Sequence, residues 1–113
     1  MNRRSEMRTV VLRNERDENG GRLLEATYNG HGDLVIQGRD WGTEVARFWG
    51  GTEYEWAWTI RAAEIPTLLA ALDLKEDPIL GLKSRFSDEN AADLGDFLDE
   101  HAIAVERWSR VGD

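Results

Sequence analysis

Glu53-Tyr54-Glu55-Trp56-Ala57-Trp58-Thr59-Ile60-Arg61 decides how the rest of the chain folds. Tyr54, Trp56, Trp58 and Ile60 share one parity and Glu53, Glu55, Thr59 and Arg61 the other, the period of two of a β-strand with one face buried. Aromatic and β-branched side chains suit a pleated surface. Three large rings on one face require a covering layer, so the stretch predicts a sheet with helices on one side and Trp56 and Trp58 in the core.

Upstream, Met7 to Arg13 reads as a strand and Asn14 to Gly21 as a polar turn, with Asn19-Gly20 as the hairpin dipeptide. Leu23 to Tyr28 is the return strand. After the turn Asn29-Gly30-His31-Gly32-Asp33 comes a third strand, Leu34 to Gln37, ended by Gly38. Arg39 to Thr52 is a longer connection in which Thr43 to Trp49 has room for one or two helical turns. Downstream the period changes. Ile65, Leu68, Leu69 and Leu72 lie at i, i+3, i+4 and i+7, one stripe of a helix. Asp77-Pro78 reads as a cap followed by proline at the first helical position. Ile79, Leu82 and Phe86 give the second helix its apolar side, weakened by Gly81. Ser87-Asp88 opens a third helix through Glu100, with Leu94, Phe97 and Leu98 inward and His101 at its end. Ile103 to Trp108 returns as a strand. The expectation is a single α+β domain over residues 1–113: an antiparallel sheet of four to five strands with about three helices on one face.

The chain has 113 residues and no cysteine, so disulfides and thiolate metal sites are excluded. Met1 to Glu6 carries no apolar run, and no stretch approaches the roughly 20 apolar residues of a membrane span, which points to the cytoplasm. The net charge of −8 is unevenly placed. Residues 1–22 hold six arginines against four acids, a balance of +2, while residues 23–113 hold eight basic residues against eighteen acids, a balance of −10. Such a surface repels nucleic acid and anionic lipid and attracts a basic protein. The plain alternative is that the acids keep the protein soluble.

Glu89, Asp93, Asp96 and Glu100 are spaced to line one side of the third helix, flanked by Asp88 and Asp99, with no Lys or Arg from Ser87 to His101. Like charges four apart destabilise a helix, and acids at its C-terminal end oppose the dipole. A stripe that costs stability without structural return argues for a basic partner; a solvated face is the alternative. A second candidate surface lies in the long connection, where Trp41, Phe48 and Trp49 stand near Asp40, Glu44, Glu53 and Glu55. Rings beside acids suit Arg or Lys, which stack and pair at once; closing the end of the core is the competing role.

Catalytic and cofactor motifs are absent. Counted as a calcium loop from Asp88, the fifth position is Ala92 and the sixth Asp93, where oxygen and glycine are needed. His31 and His101 are the only histidines and lack ligand spacing. No nucleophile elbow surrounds Ser84, Ser87 or Ser109. Gly81-Leu82-Lys83-Ser84 ends like a phosphate loop but lacks its first glycine and spacing. The sequence therefore predicts no catalytic residue, metal or cofactor.

Leu34-Val35-Ile36-Gln37-Gly38-Arg39-Asp40-Trp41-Gly42, Glu53-Tyr54-Glu55-Trp56 and Ala63-Glu64-Ile65-Pro66-Thr67-Leu68-Leu69-Ala70-Ala71-Leu72 together resemble small, acidic, single-domain bacterial proteins frequent in actinobacteria. Some of these are similar to immunity proteins of polymorphic-toxin or contact-dependent-inhibition systems. The resemblance spans about residues 33–108, and its motifs are structural rather than catalytic. It implies an α+β fold and the neutralisation of a cognate toxin. Three functions are therefore expected in competition: an immunity-type inhibitor, an acidic nucleic-acid mimic that occupies a DNA-binding groove, and a small-ligand module or enzyme with a pocket near Tyr54 and Trp56.

Overall fold

The computed structural model describes residues 8–28, 32–42, 53–75 and 77–112. Strands β1 (Arg8–Asp17), β2 (Gly20–Tyr28), β3 (Leu34–Gly42), β4 (Glu53–Ile60) and β5 (Glu106–Gly112) form one antiparallel sheet in chain order. Between β4 and β5 lie helices α1 (Ile65–Leu72), α2 (Pro78–Arg85) and α3 (Leu94–Glu100), with a 3₁₀ turn at Ala62–Glu64 and a 3₁₀ segment at Asp88–Asp93. The α+β class with a five-stranded antiparallel sheet and three helices is as the periodicities indicate.

The core forms where the two periods meet. Leu24, Ala26, Leu34, Ile36 and Ile60 project from one face of the sheet, and Ile65, Leu68, Leu72, Ile79, Leu82, Leu94 and Leu98 project from the helices onto them; all are buried. The α1 stripe lies inward as its spacing requires, and Leu69 packs at its margin. The Asp77 carboxylate accepts a hydrogen bond from the Ile79 N–H at 2.9 Å, and Pro78 occupies the first turn, so α2 begins where its cap dictates. Phe97 and Leu98 are buried, whereas His101 is exposed and lies beside the Phe97 ring at 4.5 Å between centroids.

Four boundaries differ from the sequence reading. The first hairpin is longer: β1 runs to Asp17 and β2 starts at Gly20, leaving Glu18 and Asn19 as the turn instead of Asn19-Gly20. The Asp17 side chain accepts from the Asn19 N–H at 2.7 Å, a local bond that competes with the expected turn. Gly38 does not end β3. The Trp56 indole lies where a Cβ on Gly38 would stand, so glycine lets the ring cross the sheet while the ladder continues to Gly42. The final strand begins three residues later than expected, at Glu106.

The fourth difference is the third helix. A 3₁₀ segment covers Asp88–Asp93 and the α-helix starts only at Leu94. Asp and Asn are poor helix formers, and Gly95 weakens an α-helix further. Three residues per turn also place Ala91 and Leu94 one above the other, and both are buried. The expected helical turns at 43–49, the turn around His31 and the side chains of Glu44, Phe48 and Trp49 lie outside the described residues.

A β-bulge at Leu12 breaks the register between Val11 and Arg13. Two consecutive side chains then face the helices, as a bulge requires. Leu12 enters the core, and Arg13 follows it onto the same side. The Val11 carbonyl accepts from the Lys83 ammonium of α2 at 2.8 Å, which ties the bulge to the helix layer.

Candidate binding site: a ring-floored groove beside an acidic segment

Tyr54, Trp56, Trp58 and Ile60 share one face of β4, yet only Ile60 is fully covered. The chain turns into α1 directly after Ile60, which puts the helix layer over that end of the strand. From there α2 and the 3₁₀ segment lean toward β1, with α2 also reaching β2. The far ends of β4 and β5 are left without a full cover. Trp56 and Trp58, expected in the core, are half-buried instead and form the floor of an open groove.

The groove has a volume of about 390 Å³ and is lined by Tyr54, Trp56, Trp58, Arg107, Trp108 and Ser109. The two indoles are 4.7 Å apart between centroids and tilted by 41°. Register places Val111 opposite Tyr54, Ser109 opposite Trp56 and Arg107 opposite Trp58. The Arg107 guanidinium lies over the Trp58 ring, 5.0 Å from its centroid, and its Nη2 is 3.7 Å from an Asp99 carboxylate oxygen of α3. On that side α3 presents Gly95, where a Cβ would stand 3.1 Å from the Trp58 ring, so the helix backbone closes on the indole edge. The groove is thus lined by β4 and the edge strand alone, and the acidic helix meets it where Gly95 closes on Trp58 and where Asp99 approaches Arg107.

Behind Trp56 is a smaller cavity of about 180 Å³, lined by Arg13, Arg22, Asp40, Trp56, Ala91 and Ala92, together with Leu23 and Leu24. Asp40 is half-buried there. Burial pushes its carboxyl pKa up, against the downward pull of the Arg22 and Arg13 guanidinium groups. Arg13 reaches this position because of the bulge at Leu12.

The residues singled out from the sequence fall into three places. Glu89, Asp93, Asp96 and Glu100 are exposed on one segment with Asp88 and Asp99. They do not form a single stripe. In 3₁₀ geometry a separation of four residues turns about 120° around the axis, so Glu89 and Asp93 (both in the 3₁₀ segment) point in different directions. Asp96 and Glu100, four apart on α3, do share a side. Asp40 faces the helix layer, opposite Tyr54 and Arg22. Trp41, Glu53 and Glu55 are on the other face of the sheet. Asp40 and these two glutamates are thus not one acidic surface. Glu53 pairs with Arg39, Arg39 also stacks on Trp41 at 5.5 Å, and Glu55 accepts from Arg110 at 2.6 and 3.1 Å. Glu44 lies outside the described residues.

Arg107, Ser109 and Gly95 were not singled out from the sequence. Pairing with β4 puts Arg107 and Ser109 on the parity that meets the rings. The sequence of Glu106 to Val111, with Trp108 on one parity and Val111 on the other, did not single them out. Polar residues opposite an aromatic face mark a place where the cover stops.

Among the described residues no group of three or more His, Asp or Glu side chains is placed to hold a metal ion. Among the same residues no helix is long and apolar enough to cross a membrane. Comparison with protein-family models, with curated proteins and with solved structures gave no match.

Proposed function

We propose that this chain is a non-catalytic, cytoplasmic binding protein of the immunity type, which occludes a basic, nuclease-like toxin with its acidic, ring-lined side. The observation that carries the reading is a set of three partly covered rings, Tyr54, Trp56 and Trp58, of which Trp58 meets Gly95 of a segment with six exposed acids and no Lys or Arg from Ser87 to His101. Aromatic side chains anchor protein interfaces out of proportion to their number. Carboxylates around them steer a cationic partner and speed its arrival. Inhibition is then steric blockade with charge complementarity, over an interface of roughly 800 Å² per partner. A small-molecule pocket encloses most of its ligand, whereas this groove is open along one side, which favours a side chain projecting from a larger partner.

Co-expression with a toxin-like reading frame adjacent to its gene tests the proposal. The wild-type chain is expected to protect cells and to bind the toxin with an association rate that falls about tenfold or more between low and high salt. Combining Glu89→Gln, Asp93→Asn, Asp96→Asn and Glu100→Gln is expected to remove most of that salt dependence and weaken protection. Undiminished protection by this variant and by Trp58→Leu alike would overturn the proposal.

A further inference from the structure

Resting on the proposed basic partner, we infer that the groove is a seat for an arginine side chain of that partner, and that Arg107 fills part of it as an intramolecular stand-in. Ring faces carry negative charge density and attract cations, Trp most of all. The chain meets that demand at Trp58 with its own guanidinium, 5.0 Å from the ring centroid, and steadies it with Asp99 at 3.7 Å. This hold is weak. The Arg107 side chain is 53% exposed and that of Asp99 70%, so solvent screens the pair and leaves the arginine free to exchange.

The seat suits a guanidinium better than an ammonium. A planar guanidinium stacks on an indole and presents a fork of N–H donors to a carboxylate in the same pose, whereas an ammonium is a compact, strongly hydrated point charge. Asp99 supplies the carboxylate, and its two oxygens can accept from more than one donor. Trp56, 4.7 Å from Trp58, widens the stacking surface, and Ser109 adds a hydroxyl on the edge-strand side. Asp99 and the ring faces set the sign of the occupant, and the stacked rings set its shape.

The test uses hexa-arginine and hexa-lysine peptides as probes, with the Trp56 and Trp58 indole N–H signals followed by NMR and assigned through Trp56→Phe and Trp58→Phe. Hexa-arginine is expected to shift both signals more than that of Trp41, which is on the other face of the sheet, and to bind about fivefold or more tighter than hexa-lysine. Arg107→Gln vacates the ring and is expected to tighten hexa-arginine binding severalfold; Trp58→Leu is expected to weaken it about tenfold. Melting curves establish that each variant is folded, and Arg107→Gln, an exposed change, keeps the test decisive if Trp58→Leu does not fold. Weaker or unchanged binding by Arg107→Gln overturns the stand-in. Equal affinities for the two peptides, lost only in the four-acid variant, overturn the seat while leaving the basic-partner reading in place. No binding of either peptide to the wild-type chain overturns both.

Discussion

Ile60 and Trp58 stand two residues apart on the same face of β4, and they belong to different regions of the molecule. Ile60 pairs with Leu34 across the sheet and shares a core with Leu68, Ile79, Leu82 and Leu98, each at most 1% exposed, whereas Trp58 has the buried Ile36 on one side only. Around Trp58 the opposite wall is one edge strand, the cover is the Gly95 end of α3, and the ring partner is a charged side chain. The first region holds itself together by excluding water. The second packs large rings against the core but leaves them partly exposed, beside Arg107 and, through it, Asp99. That contrast is the reason the proposed binding is assigned to the second region.

The contrast can be broken most directly through Leu98. Leu98→Ala empties a fully covered position and is expected to cost about 3 kcal/mol in denaturant unfolding. Arg107→Gln, on the open side, is expected to stay within about 0.5 kcal/mol. Comparable losses from the two would mean that the groove is as structural as the core. Gly38→Ala probes the boundary between the regions. The added methyl meets the Trp56 indole, and a cost of about 1–3 kcal/mol is expected, together with a changed near-ultraviolet dichroism of the indoles. Unaltered stability and an unaltered spectrum would remove Trp56 from its place over β3.

The smallest effect concerns Asp40. Its pKa is raised by burial, so the folded state binds the proton more readily than the unfolded chain, and the ionised carboxylate costs stability at neutral pH. Asp40→Asn is therefore expected to melt above the wild type near pH 7. The gap should narrow as pH falls through the raised pKa and vanish below the pKa of the unfolded chain, where both side chains are neutral. An Asp40→Asn chain that melted below the wild type near pH 7, with the deficit shrinking on acidification, would mean that Arg13 and Arg22 outweigh burial.

Much of the architecture could be read from local pattern. The strand β4, the stripe of Ile65, Leu68 and Leu72, and the cap at Asp77 each depend on neighbours within a few residues and appear where expected. Burial along β4 does not alternate, however, since every residue from Glu53 to Thr59 is partly buried. The errors had two sources, a distant group at Gly38 and a local acceptor at the first turn. Gly38 looked like a strand end until the Trp56 ring supplied its reason, and Glu18-Asn19 became the turn because Asp17 offered a competing acceptor. The bulge at Leu12 left no mark in the local pattern, and it moves Arg13 to the side of Asp40. The candidate site was legible in pieces: the rings and the acids stand out in the sequence, but their adjacency does not.

The class of fold, the inward faces of the helices and the concentration of acid between Ser87 and His101 follow from the order of residues alone, because periodicity and charge are properties of short stretches. How far the helices reach over the sheet is of another kind. It depends on where α1 leaves β4, on the lean of α2 toward β1 and on a 3₁₀ segment that turns Glu89 and Asp93 apart. Those are relations between surfaces far apart in the chain, settled by packing. They leave Tyr54, Trp56 and Trp58 open beside Arg107 and Asp99 and place Glu53 and Glu55 on the other face among their own arginines.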